Sequence, residues 1–339
     1  MENHSTQNMP VLITGGAGFI GSHLTDFLLE KGHHVTVLDD LSTGSIDNIS
    51  HLDNNRDFRF ITGTVLDEKL VGRLVAESKL VFHLAAVVGV KNVISQPRRG
   101  IEVNVGGTEI VLKAASINGA RVVLASSSEV YGISNEIPFL EDGPRTLGPT
   151  NIQRWSYASS KALDEHLGLT YFADGLPVSA VRYFNAYGPR IVESGYGSVI
   201  AKFISQTFRG EPLTLYGDGN QTRSFTYVSD TVMGTYLAGT HPAAAGEIFN
   251  IGSGIETSVK QLATLICELT GREPDFKIVP FTDEFGPDFQ DVPRRVPSIE
   301  KAKTLIGFNP EISLEEGLRR TIEWAKTAYE SADSFNQRK

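Results

Sequence analysis

The chain has 339 residues and a formal charge of −9 at neutral pH, with 40% hydrophobic and 21% charged residues. That length suits one large α/β unit, or a nucleotide domain with a smaller companion. The acidic balance excludes nonspecific nucleic-acid binding, so a phosphorylated ligand needs locally placed arginines.

The first eight residues, MENHSTQN, have no basic start followed by an apolar run, and no signal peptide is expected. The longest apolar stretch, Leu80 to Val90, is interrupted by His83 and is too short to span a bilayer. The single cysteine, Cys267, cannot form an internal disulfide, which fits a reducing cytoplasm. It falls in the apolar-periodic stretch Val259 to Leu269, which predicts a buried structural thiol.

From Val11 to about Arg182, short β-rich runs alternate with helical stretches, the pattern of a Rossmann-type doubly wound parallel sheet in an α/β protein. Strands are predicted at Val11–Thr14, His34–Leu38, Phe58–Thr62, Leu80–Leu84, Arg121–Ser126 and Val178–Tyr183. Helices are predicted at Ser22–Lys31, Val103–Asn118 and Ser160–Phe172. After Tyr183, the loops Tyr187-Gly188-Pro189 and Tyr216-Gly217-Asp218-Gly219 separate shorter elements, with no second glycine fingerprint. This predicts a smaller C-terminal α/β substrate domain over the carboxyl edge of the sheet, where open α/β sheets bind ligands. The nucleotide domain is expected at 9–182, with the chain returning near 223–245. The substrate domain is expected at 183–222 and 246–330, with flexible tails at 1–8 and 331–339. Ser313 and Glu316 form a capping-box pattern before Leu314, Leu318, Ile322 and Ala325, which predicts a last helix.

Gly15, Gly18 and Gly21, with Phe19 and Ile20 between the last two, follow a strand and open a helix. Backbone can then approach a pyrophosphate, and the helix N-terminus supplies amide donors and a partial positive charge. Asp39 ends the second strand eighteen residues after Gly21. A carboxylate there accepts ribose hydroxyls and repels a 2′-phosphate, which favours NAD over NADP.

Tyr157 and Lys161 are four apart and share a helix face. A nearby ammonium and a positive nicotinamide both favour phenolate, so the Tyr157 phenol is expected to titrate toward neutrality. The phenolate would take a proton from an alcohol as hydride leaves the same carbon. The strand before it ends in Ser126-Ser127-Ser128, whose hydroxyls could polarise the same oxygen.

Beyond TGGAGFIG at 14–21, the ordered motifs include Asp39-Asp40-Leu41-Ser42-Thr43-Gly44, His83-Leu84-Ala85-Ala86 and Ser127-Ser128-Glu129-Val130-Tyr131-Gly132. They continue through Tyr157/Lys161, Arg182-Tyr183-Phe184-Asn185-Ala186-Tyr187-Gly188-Pro189-Arg190 and Gly217-Asp218-Gly219-Asn220-Gln221-Thr222-Arg223-Ser224-Phe225. With these motifs the chain resembles the extended short-chain dehydrogenase/reductases, in their nucleotide-sugar epimerase, dehydratase and decarboxylase branch. The resemblance implies an NAD site at Gly15, Gly18, Phe19, Ile20, Gly21, Asp39, Thr64, Val65, Leu84, Ala85, Ala86, Asn104, Tyr157 and Lys161. It departs at Gly63-Thr64, where the family often has Gly-Asp. By the same resemblance Asn185, Arg223 and Arg295 hold the diphosphate of a UDP-sugar, with Arg154 and Tyr216 also on the substrate side. It further implies a homodimer through helices around Val103–Asn118 and Ser160–Phe172.

In this branch NAD oxidises the sugar at C4, and the paths then diverge. An epimerase returns hydride to the other face, a 4,6-dehydratase typically uses an Asp-Glu pair, and a decarboxylase acts on a uronic acid whose carboxylate becomes β to the new ketone. Glu129 stands where many 4-epimerases have a small or hydroxyl residue, and Ser128 where dehydratases usually have Asp. Arg154, three before the Tyr, suits a carboxylate. The segments Gly148–Tyr157 and Phe285–Ile299 resemble UDP-glucuronic acid decarboxylases, which assigns the chemistry to Ser128, Glu129, Tyr157, Lys161 and Arg295, with Ser127 beside them. Decarboxylation is therefore the leading expectation, with 4-epimerisation, then dehydration, as alternatives. A catalytically silent NAD-binding sensor or scaffold is the non-enzyme alternative, which the retained Tyr157 and Lys161 argue against. No His/Cys/carboxylate spacing suggests a metal.

Overall fold

Leu12 is predicted to face one side of a sheet, and Val11 and Ile13 the other, and the chain buries all three. A computed structural model describes residues 8–191, 198–286 and 291–336. Its central sheet has six strands between Pro10 and Tyr183: β1 (Pro10–Thr14), β2 (His34–Asp39), β3 (Phe58–Thr62), β4 (Leu80–His83), β5 (Arg121–Ser127) and β6 (Val178–Tyr183). A seventh, Ile248–Ile251, pairs with β6, and the order across the sheet is Ile248–Ile251, β6, β5, β4, β1, β2, β3. Every pairing is parallel. The six predicted strands therefore form, each within one residue of its expected ends.

The period of two decides which core each side chain enters. Ile13, Val37, Phe82 and Val123 join one apolar cluster, while Leu12, Leu38, Val81 and Val122 join the other. Burial on both faces is what helices on both sides of a parallel sheet require. The strand order reverses between β1 and β4, and this switch point opens the crevice where such folds bind ligands.

Three expectations change. The helix predicted from Ser160 begins at Arg154 and runs to Ala173, because the fully buried Trp155 docks its first turn into the core. Arg154, Tyr157 and Lys161 thus share one helix. Residues 248–251, assigned by sequence to the second unit, complete the central sheet, and the helix Val228–Thr240 packs against α1 (Phe19–Glu30). A strand of only four residues, with the polar Asn250 inside it, is too short to show a clear period. Of the expected tails, residues 331–336 are helical, continuing Leu314–Asn336, while 1–7 and 337–339 lie outside the described residues.

The Ser313 cap forms, its Oγ accepting from Glu316 N at 3.2 Å, but the Glu316 carboxylate turns to Arg320 instead of completing the box. A full capping box occurs at Ser258 and Gln261, opening the helix Val259–Leu269 that buries Cys267. A π turn, Glu102–Gly106, precedes the helix Gly107–Asn118.

Beyond the main sheet, Leu213–Tyr216 pairs in parallel with Phe276–Val279. A three-stranded ribbon sets Thr222–Arg223 between Thr257–Ser258 and Arg294–Arg295. In it Arg295 is the direct partner of Arg223, which brings two cations far apart in sequence onto one rung.

Candidate active site

The glycine turn is built on close approach. Gly15 has φ +76°, and a Cβ on Gly21 would lie 2.2 Å from the Gly15 carbonyl oxygen. The Asp39 carboxylate braces the turn, accepting from Ala17 N at 2.9 Å and Leu41 N at 2.8 Å. Burial raises its pKa, against these two amides. Along this turn runs a cavity of about 650 Å³. Gly15, Gly18, Phe19, Ile20, Gly21 and Asp39 line one end, with Thr64, Val65, Leu84, Ala85 and Ala86 beside them. Ser127, Tyr157, Lys161 and Asn185 line the other. A cavity of this size, lined by the glycine turn, the Asp39 carboxylate and the Tyr-Lys pair together, fits a dinucleotide.

Asn104 is not in the cavity wall. It is 1% exposed, accepts from Val87 N at 2.8 Å and donates to Val87 O and Ser160 Oγ. Ser160 Oγ in turn donates to the Tyr157 carbonyl, so Asn104 supports the Ala85–Val88 loop and the Tyr157 turn from behind. Thr64, in place of the family's usual Asp, caps its own turn by accepting from Leu66 N at 3.3 Å. Arg190, which ends the Arg182–Arg190 motif, also lines the cavity, as do Arg99 and Trp324, which carried no sequence signal.

At the reacting end, Ser127 Oγ caps the turn Ser128–Tyr131 by accepting from Glu129 N at 3.2 Å. Ser126, one of the three expected hydroxyls, donates to Glu165 instead. Glu165 also takes Arg182 in a bidentate pair, at 2.8 and 2.7 Å, which knits β6 to the Tyr157 helix.

The Tyr157 phenol is held above the usual tyrosine value, first by burial, then by Glu129, against a hydrogen bond with Ser127. Burial and Glu129 thus oppose the lowering expected from the lysine and a positive nicotinamide ring together. The Lys161 ammonium meets Asp164 Oδ2 at 3.1 Å, both side chains being buried, and its charge is matched there. His83 behind it bonds Thr14 Oγ1 at 2.8 Å and Thr108 Oγ1 at 3.2 Å. Burial and then Lys161 lower His83 to about 3, so it is neutral and no acid or base at working pH.

The expected substrate-side cations converge on Glu129. Arg295 Nη1 donates to its Oε1 at 2.7 Å and Arg154 Nη2 lies 3.7 Å from Oε2. Burial would raise Glu129, but Arg295, Arg154 and Arg223 outweigh it and hold the carboxyl below its ordinary value. Arg223 is lowered to about 10, by burial and then by Arg295, and is bound by Asp291, at 3.0 Å from Oδ1. Asp291 and Glu256, which grips Arg294 and Thr222 around the ribbon, were missed in the sequence because loop carboxylates show no pattern until their partners are known. Ser128 is buried at the foot of this cluster. Asn185 carries φ 24° and a buried Oδ1 with no hydrogen-bond partner, beside the cavity. Tyr216 stands apart on Lys202, whose Nζ lies 4.4 Å from the ring centroid. Of the segment Phe285–Ile299, residues 287–290 lie outside the described residues. Among the described residues no group of His, Cys, Asp and Glu could hold a metal ion, and no helix is long and apolar enough to cross a membrane.

A parallel switch-point sheet, a glycine turn with a terminal Asp, and a Tyr-x-x-x-Lys helix define a dinucleotide-dependent enzyme of the short-chain dehydrogenase/reductase type. The chain belongs to the GDP-mannose 4,6 dehydratase family, whose model matches residues 12–321; its members are NAD-dependent nucleotide-sugar decarboxylases, epimerases and dehydratases. It is 44% identical to a UDP-N-acetyl-alpha-D-glucosaminuronate decarboxylase of Bacillus cytotoxicus, over 92% of this chain and 96% of that one. It is 38% identical to UDP-glucuronic acid decarboxylase 1 of Xenopus tropicalis, over 94% of this chain and 73% of that one. Among solved structures, it matches the UDP-glucuronic acid 4-epimerase of Bacillus cereus, in complex with UDP-glucuronic acid and NAD, with a TM-score of 0.83 and 29% identity. That match covers 95% of this chain and all of the other.

Proposed function

We propose that this protein is an NAD-dependent decarboxylase of a UDP-linked uronic acid. The observation that carries the reading is the convergence of buried Arg154 and Arg295 on Glu129, in the turn that follows β5 near Tyr157. NAD, when bound along the glycine turn, supplies the hydride acceptor at sugar C4. Once ionised beside the bound cofactor's positive ring, Tyr157 Oη would take the C4 hydroxyl proton, Ser127 fixes that oxygen, and Lys161 supplies positive charge beside the pair. Arg154 and Arg295 orient the uronic carboxylate by paired contacts, while Arg223 and Asn185 bind the diphosphate. Loss of carbon dioxide leaves its electron pair in the C4 enolate, which takes a proton from water at C5; the hydride removed at the start then returns to C4, and Tyr157 gives its proton back to the C4 oxygen. Arginines already shared with Glu129 bind a carboxylate less tightly than bare ones, which suits a group that must leave.

The relatives named as decarboxylases support this reading, and the match to a uronic-acid epimerase supports 4-epimerisation as the second. We also propose a homodimer through the helices Gly107–Asn118 and Arg154–Ala173, whose Ile117, Leu163, Leu169 and Phe172 are exposed. A cytoplasmic location is the setting that one buried, unpaired thiol fits.

Purified protein given UDP-glucuronic acid, or its 2-acetamido counterpart, with NAD should release carbon dioxide and a UDP-pentose. A UDP-uronic acid inverted at C4, with no carbon dioxide, would replace the reading with epimerisation. Tyr157→Phe should lose about 10²–10⁴ in turnover with the fold intact.

A further inference from the structure

Lys161 and Asp164 lie on one helix, 3% and 2% exposed in their side chains, with Nζ 3.1 Å from Oδ2. Both side chains are withdrawn from water, so each serves as the other's ionic partner in the fold. The Asp164 carboxyl is itself supported: the Thr108 hydroxyl stabilises its charged form against burial, and Thr108 Oγ1 lies 3.2 Å from His83 Nε2. His83 Nδ1 is bonded to Thr14, the residue before the glycine turn. A continuous line of polar contacts therefore runs from the end of β1, through β4 and the helix Gly107–Asn118, to the lysine's partner.

We propose that Asp164 is a positioning residue that holds Lys161 as a fixed ammonium beside Tyr157, with Thr108 and His83 as its backing. This rests on the reading that Lys161 works with Tyr157.

Asp164 has a second, opposing influence, since its charge also disfavours the Tyr157 phenolate. Distance decides between the two. The contact with Lys161 is direct at 3.1 Å, whereas on Tyr157 the effect of Asp164 ranks behind burial, Glu129 and Ser127. The other groups around the pair are accounted for. Glu165 is tied to Arg182, Glu129 to Arg295 and Arg154, Arg98 to Glu102, Arg99 to Asp40, and His83 is neutral. Tyr183, in the same cavity wall, is held above its ordinary value by burial.

The test is Asp164→Asn, read by the pH dependence of Lys161 labelling with an amine-directed reagent and quantified by peptide mass. Lys161 borders the cavity and is within reach of a small reagent. The labelling curve should move down by about one pH unit or more, giving about tenfold faster labelling on its rising limb. The alkaline limb of kcat should move down with it, KM should change little, and Asp164→Glu should restore both curves. Should Asp164→Asn not fold, Asp164→Ser serves the same measurement. An unmoved labelling curve in a folded uncharged variant overturns the proposal. Labelling needs no turnover, so this outcome is separate from failure of Tyr157→Phe to lose activity, which would overturn the reading beneath it.

Discussion

Arg295 Nη1 donates to Glu129 Oε1 at 2.7 Å, a bond across 166 positions of sequence. It ties the turn after β5 to the outer strand of the ribbon. Glu129→Gln keeps an acceptor but removes the charge that balances the arginines. The substitution should cost about 1–3 kcal/mol, read as a lower urea midpoint. An unchanged midpoint would show that the arginines find other partners.

Acid should expose the same chemistry. Glu129 and Glu256 are both held below their ordinary value, Glu256 at about 2 through hydrogen bonds from Arg294 and Thr222. A carboxyl lowered in the fold stabilises above its unfolded value and loses that contribution as pH falls through the folded one. The window for Glu256 therefore runs from about 4.5 down to about 2. Asp39 and Asp164 are raised by burial and act in the opposite sense, so stabilisation grows as they take up protons. Glu256→Gln should flatten the fall in unfolding free energy across that acid window. An equally steep fall in the variant would remove Glu256 from the account.

Gly21→Ala should abolish dinucleotide binding. Its Cβ would meet the Gly15 carbonyl oxygen at 2.2 Å and Gly16 Cα at 2.7 Å, both backbone atoms that cannot turn aside. The turn must open, with a stability loss above about 2 kcal/mol. Calorimetric titration with NAD and a thermal melt check both parts, and wild-type affinity would contradict the geometry.

Arg154→Lys separates a carboxylate receptor from a generic cation. Arg154 is 8% exposed and stacks 5.3 Å from the Trp155 ring centroid, an arrangement the lysine ammonium cannot copy. KM for UDP-glucuronic acid should rise about tenfold, or ~1.4 kcal/mol, with little change in the affinity for UDP-glucose. Equal losses on both sugars would sink the carboxylate role.

Sequence carried what is local. Short continuous apolar runs marked Val11–Thr14 and Leu80–His83, and the spacing from Gly15 to Asp39 marked the turn, because each depends on neighbours along the chain. Tyr157 and Lys161 were visible as an i, i+4 pair, but the phenol's raised value was not, since it depends first on burial in the folded core and then on Glu129. The Arg223–Arg295 rung was likewise hidden in strands of two residues, too short for any periodicity. Asn104 was legible as a motif residue, yet its place behind the wall became clear only from its contacts with Val87 and Ser160.

The π turn at Glu102–Gly106 carries one residue more than an α-helical turn, and Asn104 sits within it. Deleting a single residue there would let an ordinary helix close, because the wide turn covers with one extra residue about the same rotation that an α turn covers without it. Thr108 would keep its facing toward His83, and Val111 and Leu112 their places in the core. The loss would fall on Asn104 and its bonds to Val87 and Ser160, so the extra residue sets the reach of one side chain, and shortening the turn should loosen the loop beside the cavity while the core packing holds.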